Sequence, residues 1–250
     1  MALEIHDIFE PELDRTASTV QSYQITDIRE AVRDKNRVNI YLDGKFFCSL
    51  DISQVVDFKI KIGRKLDKDE REQIKRASEF GKLYARALEY NFQRPHSTWE
   101  IQDYLKRKTM DKIVRVRNRK TGEYVTKLRK GYDPGLIPLV MERLDAHGYL
   151  DDERFARLWV ENRNTRKGIS RKKLRLELQQ KGIDSKIIDK VLGENLRDER
   201  DELRKVIAKR QKRYDDQQKF IQYLVRQGFN YSDVLDELSR EADDSSSWPA

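Results

Sequence analysis

The chain has 250 residues, 37% hydrophobic and 38% charged, which is enough for a real core but too polar for one large compact body. Its apolar runs are only a few residues long, which excludes a helical membrane span of about 20, and no stretch reads as a signal peptide. A single cysteine, Cys48, excludes an internal disulfide and any CxxC pair, so a soluble intracellular protein built from several small units is expected.

The net charge of +8 is unevenly spread. Residues 1–20 carry about −4 and residues 236–250 another −4, leaving +16 on residues 21–235. Such a body favours a polyanionic partner over a small neutral substrate. The two ends, 1–20 and 241–250, read as disordered acidic tails, because they lack the apolar content needed to offset ordering entropy.

Between residues 24 and 50 the pattern has period two. Val38, Ile40 and Leu42 alternate with Arg37, Asn39 and Tyr41, and Asp43-Gly44 then turns the chain toward Phe46-Phe47. An Asp-Gly pair supplies the two positive φ angles of a type I′ hairpin. A short helix over Ile52 to Phe58 and a turn at Gly63 complete a small β-rich domain, 21–66.

From Asp67 the period becomes 3.6 and nearly everything reads as helix. Ser97 is followed at +4 and +8 by Ile101 and Leu105, Ser170 by Leu174 and Leu178, and Asp216 by Phe220 and Leu224. Each series opens on a good N-cap residue. Gly182 and Gly228 stand four residues after the last leucine, where a helix-terminating glycine belongs, and Ile188 and Leu192, then Val234 and Leu238, follow at +6 and +10. The same rule started at Gly131 selects Ile137 and Met141. These recurrences predict three tandem three-helix repeats, 67–147, 148–193 and 194–240, stacked into an elongated, curved, mainly α body.

The first repeat contains an insertion, 106–130, in which Val114 and Val116 alternate with Arg115 and Arg117 and Thr121-Gly122 turns toward Tyr124-Val125. It is a second hairpin, with eleven bases against Asp111 and Glu123, a net +9. Lysine on an exposed strand discourages edge pairing, but alternating arginines also suit a ribbon that grips phosphates. Arg115, Arg117, Arg119 and Lys120 are its candidate contacts. The middle repeat carries a further run, Arg163, Arg166, Lys167, Arg171, Lys172, Lys173 and Arg175, with no acid interspersed. A solvated face would mix signs, so Arg163, Arg166, Lys167, Arg171, Lys172 and Arg175 are candidate partner contacts. Arg204, Lys205, Lys209, Arg210, Lys212 and Arg213 form a similar strip in the third repeat.

Asp151, Asp152 and Glu153 could be imagined as a metal or nuclease cluster, but acids at a helix start cap free N–H groups and face the positive dipole end. Tyr149 and Leu150 before them suit a staple against that helix. Trp99, Tyr104, Trp159, Phe220 and Tyr223 sit at helical spacing and read mostly as core rather than as stacking platforms. His6, His96 and His147 lie far apart, no P-loop, HExxH or nucleophile motif occurs, and no cofactor or catalytic residue is nominated.

Gly148-Tyr149-Leu150-Asp151-Asp152-Glu153-Arg154-Phe155-Ala156, with Trp159-Val160, Leu174, Glu177-Leu178 and Lys181-Gly182-Ile183, resembles the signature of the RecX family. Ala87-Leu88, Tyr90, Arg94, Ser97, Glu100-Ile101 and Tyr104-Leu105 look like the family's first repeat, and residues 37–44 are similar to the hairpin preceding the repeats in longer members. The basic insertion departs from the family's common pattern. The resemblance implies a non-enzymatic, cytoplasmic regulator that lies along the RecA filament on single-stranded DNA and dampens ATP turnover, strand exchange and co-protease function in recombination and repair. A chain of this kind is expected to bind single-stranded DNA weakly and without reading sequence, to act as a monomer and, given its short apolar runs, to have no membrane partner. The alternative from another class is a duplex-DNA regulator using its tri-helical units in helix-turn-helix fashion, which a sequence-specific footprint without RecA would reveal.

Overall fold

The computed structural model describes residues 22–32, 34–118 and 121–244, with backbone only from residue 241. The expected acidic tail at 1–20 lies outside the described residues. So does the other beyond the helical backbone of residues 241–244, as do Arg119 and Lys120. The chain divides into two units, one of residues up to Arg94 together with Ile101–Tyr149, the other of Pro95–Glu100 together with the residues from Leu150.

The first unit opens with strands β1 (Tyr23–Ala31), β2 (Asp34–Leu42) and β3 (Lys45–Asp51), helix α1 (Ile52–Asp57) and strand β4 (Lys65–Leu66). They form an antiparallel sheet in the order β3-β2-β1-β4. The β2–β3 turn is the predicted type: Asp43 and Gly44 have φ of 48° and 76°, and Leu42 pairs with Lys45. Ile25, Ile40, Leu42, Cys48, Leu50 and Leu66 make the core of the sheet, which Ile74 of α2 (Lys68–Gln93) joins. Two polar bonds seat that helix: the Gln54 amide donates to the Ala77 carbonyl (2.7 Å) and Ser78 Oγ to the Ser49 carbonyl (2.7 Å). Asp67 and Glu70 cap α2 reciprocally.

Helix α3 (Thr98–Thr109), the ribbon β5 (Lys112–Arg117) and β6 (Tyr124–Arg129), and α4 (Leu136–Ala146) follow. Here one expectation is corrected. The buried residues of α4 are Leu136, Val140 and Leu144, one position out of phase with Ile137 and Met141. Gly131 is not a left-handed helix terminator: a Cβ there would lie 2.0 Å from the Thr109 carbonyl oxygen, so glycine is needed for close approach and the spacing rule has no anchor.

The second unit contains α5 (Asp152–Asn162), α6 (Arg171–Gln180), α7 (Ser185–Glu194), α8 (Glu199–Arg210), a 3-10 turn at Gln211–Arg213, α9 (Gln217–Arg226) and α10 (Tyr231–Asp244). One core gathers Phe155, Val160, Leu174, Leu178, Ile188 and Leu192; another gathers Leu203, Ile207, Phe220, Leu224, Val234 and Leu238. Asp151, Ser170, Asp184, Asp198 and Asp216 each accept a first-turn backbone N–H, so five of these six helices, all but the last, start on a side-chain cap. The whole is mainly helical, with an N-terminal four-stranded antiparallel sheet and a separate β-hairpin.

Candidate functional site

The bases at 163–175 leave α5, cross a loop and enter α6. Asn164 and Gly168 take φ of 51° and 76° in that loop, and a Cβ on Gly168 would meet the Glu202 carbonyl oxygen at 2.2 Å. The run is not uniform. Arg163 donates two bonds to Glu177 (2.7 and 3.0 Å) and lies 5.0 Å above the Trp159 ring, whose Nε1 donates to the same carboxylate (3.0 Å). Its guanidinium is therefore held charged above its ordinary range by the Glu177 hydrogen bond, and its work is to clasp α5 to α6. Arg175 pairs with Asp189 of α7. So the run has acids to balance it after all: helix packing brings Glu177 and Asp189 across from positions that no reading along residues 163–175 includes. Arg166, Lys167, Arg171 and Lys172 stay exposed, and none of their charged groups forms a salt bridge among the described residues, although the Glu199 carboxylate accepts the Arg171 N–H and faces its charge.

The strip on α8 is sorted in the same way. Arg204 forks onto Glu237 (2.7 and 3.1 Å), and Lys205 reaches Glu202 (2.6 Å). Burial alone would raise the Glu202 carboxyl, but bonds from Arg197 and Lys205 outweigh it and hold the group below its usual range. Lys209, Arg210, Lys212 and Arg213 have no such partner among the described residues. Lys209 and Arg210 line one cleft together with Lys167 and Lys173, so two runs some forty residues apart converge.

On the ribbon, Arg115 and Arg117 are both exposed. Arg115 faces Thr126 and Arg117 faces Tyr124, whose ring lies 5.1 Å below the Arg115 guanidinium. Ile113 and Leu128 pair on the same face and are also exposed, while Lys112, Arg129, Val114 and Lys127 occupy the other. The expected alternation of apolar and basic residues thus gives two mixed faces. A cluster overlooked in the sequence stands near its root. Tyr90 and Tyr104 stack 4.1 Å apart, Lys108 lies 4.7 Å over Tyr104, and Arg86 Nε donates to the Tyr132 hydroxyl (3.0 Å). Burial, with Arg86, Lys112, Arg107 and Arg129 nearby, lowers the Lys108 pKa, the mark of crowded like charge. Its legible signal was Arg86 and Tyr90, then Tyr104 and Lys108, each four apart on one helix face.

The acids at 151–153 have structural roles. Asp151 caps α5 through the Arg154 N–H (2.8 Å), Asp152 accepts the Thr98 N–H (2.8 Å), and Glu153 pairs with Arg157 and Lys190. Tyr149 meets Phe92 of α2 edge-on at 5.6 Å. Of the aromatics expected in the core, Phe220 is fully buried, Trp159, Tyr104 and Tyr223 are partly so, and Trp99 is 48% exposed. Burial pushes the Cys48 thiol up to about 11, so it is protonated and unreactive at neutral pH. Among the described residues no cluster of acids, histidine or cysteine is arranged to hold a metal, and no helix is long and apolar enough to cross a membrane.

Residues 23–67 match the family described as the regulatory protein RecX N-terminal domain, and residues 151–192 match the second three-helix domain of RecX. Regulatory protein RecX of Bacillus licheniformis is 30% identical, over 88% of this chain and 77% of its own length. Those of Clostridium tetani and Bacillus subtilis are each 28% identical, over 89% and 88% of this chain and 96% and 79% of their own lengths. A crystal structure of regulatory protein RecX superposes with a TM-score of 0.62 at 25% identity, covering 86% of this chain and 99% of that one. The chain belongs to the RecX family of non-enzymatic regulatory proteins.

Proposed function

We propose that this chain regulates RecA by binding the RecA filament on single-stranded DNA and restraining its ATP turnover, and with it strand exchange and co-protease activity. The family supports the partner. The observation that carries the surface is the set Arg166, Lys167, Arg171 and Lys172, exposed and with no salt bridge from their charged groups among the described residues. Four solvated cations outside any salt bridge, beside two that are clasped, are available to a polyanionic or acidic partner. Arg163 and Arg175 support the surface from behind by fixing α6 against α5 and α7. Arg115 and Arg117 add a second contact, with Arg119 and Lys120, which follow in the sequence, as further candidates. In this reading the helical part acts as three units, 67–147, 148–193 and 194–240. Binding that favours one filament state slows the transitions hydrolysis needs, to the extent of its differential affinity.

The test is co-sedimentation with RecA filaments and an ATPase readout across a salt series. Reversing Arg166, Lys167, Arg171 and Lys172 to glutamate should weaken binding by roughly tenfold or more, about 1.4 kcal/mol, and raise the concentration that suppresses ATPase in parallel. Undiminished potency of a folded variant would remove these residues from the mechanism.

A further inference from the structure

We propose that the cleft bordered by the α5–α6 loop, α6, α8 and α9 is a phosphate-binding site for nucleotide chemistry. Its walls present Lys167, Lys173, Lys209 and Arg210, and among the described residues no carboxylate lines it. The acids nearest in the fold are committed elsewhere. Glu202 is held by Arg197, Lys205 and the Ile169 N–H, and Glu199 accepts the Arg171 N–H. Lys167, Lys209 and Arg210 have no ion pair among the described residues, while Lys173 donates to Gln227. Four cations gathered from three segments onto one concave surface make the local potential positive, which favours entry of an anion.

Size and shape narrow the ligand. A volume of about 110 Å³ accommodates a phosphate-sized group. It falls well below the roughly 300–1,000 Å³ of clefts that hold drug-sized apolar ligands. Lysine ammonium groups and an arginine fork are the donors that phosphate oxygens prefer. The backbone does not compete for the anion: at the start of α6, Ser170 Oγ accepts the Lys173 N–H (3.1 Å) and Glu199 the Arg171 N–H (3.2 Å). Tyr223 forms part of the wall, half-buried and packed against Tyr214 and Phe220, so a flat ring stands beside the cations. Base or sugar contact with such a ring tolerates any sequence. The phosphate can come from a single strand or from a free polyphosphate.

The inference needs no RecA, and neither does its test. The full-length chain is titrated into fluorescently labelled oligothymidylate over a salt series, with inorganic pyrophosphate as competitor. Lys209→Gln with Arg210→Gln is compared with Lys75→Gln with Lys186→Gln, which removes the same charge from exposed positions outside the cleft. The cleft pair is expected to lose roughly tenfold in affinity, and its log–log salt slope should flatten by about 1.4, at about 0.7 per lost phosphate contact. Displacement of the strand by pyrophosphate shows that the cleft takes phosphate from either source; loss in the cleft pair without displacement identifies the strand as the source. If the cleft pair binds both ligands as well as the control pair does, the proposal is overturned.

Discussion

At the start of α3, Ser97 Oγ donates to the Lys181 carbonyl at the end of α6 (2.6 Å); at the start of α6, Ser170 Oγ donates to the Gln227 carbonyl at the end of α9 (2.5 Å). The likeness extends atom by atom. Asp152 accepts the N–H of Thr98 in the first contact, and Glu199 that of Arg171 in the second. Gly182 and Gly228, both left-handed, follow the two acceptor carbonyls. Yet three residues after each serine the chemistry reverses: Glu100 meets Lys181 (2.6 Å), whereas Lys173 meets Gln227. Two residues after each serine stand Trp99 and Lys172. A Cβ on Gly182 would lie 2.4 Å from Trp99 Cβ, and one on Gly228 would lie 3.1 Å from Lys172 Cβ. One backbone scaffold therefore supports two surfaces. The first contact is closed by an indole and an internal ion pair; the second borders a cleft and leaves its bases available. Hydrogen bonds between main chain and caps conserve the geometry, and the side chains at two positions decide whether it is a seal or a site.

The comparison can be broken most forcefully at Glu202, which ties the second contact to α8 and is itself almost wholly buried. Glu202→Gln removes the counter-charge of the largely buried Arg197, which keeps only its bonds to the Val160 and Arg163 carbonyls, and weakens the Ile169 bond; it should cost about 3 kcal/mol in chemical denaturation. Gly182→Ala comes next. It forces a left-handed residue, itself costing about 1–2 kcal/mol, and collides with Trp99 Cβ and Cγ, so a total near 3 kcal/mol is expected, the collision but not the backbone strain being relieved by adding Trp99→Gly. Ser97→Ala and Ser170→Ala each remove a cap and a bond to the facing carbonyl and should cost about 1–2 kcal/mol apiece; clearly unequal losses would show that the two contacts are alike in geometry only.

The smallest effect is electrostatic. The Arg204 hydrogen bond holds the Glu237 carboxyl below its usual range, although burial opposes it. A depressed carboxylate stabilises above its unfolded pKa, near 4.3, and that contribution is lost as pH falls through the folded value. Because Arg204 is half-exposed, the gap between the wild type and Glu237→Gln should be only about 1 kcal/mol at pH 7. It should close on acidification below about pH 4. A gap that widened in acid would assign Glu237 the opposite role.

What could be read from the sequence was local. The Asp43-Gly44 turn, the caps at Ser170 and Asp216, the left-handed Gly182 and Gly228, and the buried positions four and eight residues beyond Ser97, Ser170 and Asp216 all depend on neighbours within one or two turns, where spacing alone states the physics. Gly131 misled because a glycine required for close approach looks the same on paper as one required for positive φ. The basic runs were visible as runs, but whether a given arginine is a clasp or a contact depends on which carboxylate packing brings to it. Arg163 and Arg175 are engaged with Glu177 and Asp189, Arg204 with Glu237, and Lys167 and Lys209 line one cleft only because the helices fold together. Charge composition is a property of the chain; charge pairing is decided by tertiary contact, since Coulomb energy follows distance in space rather than separation along the backbone.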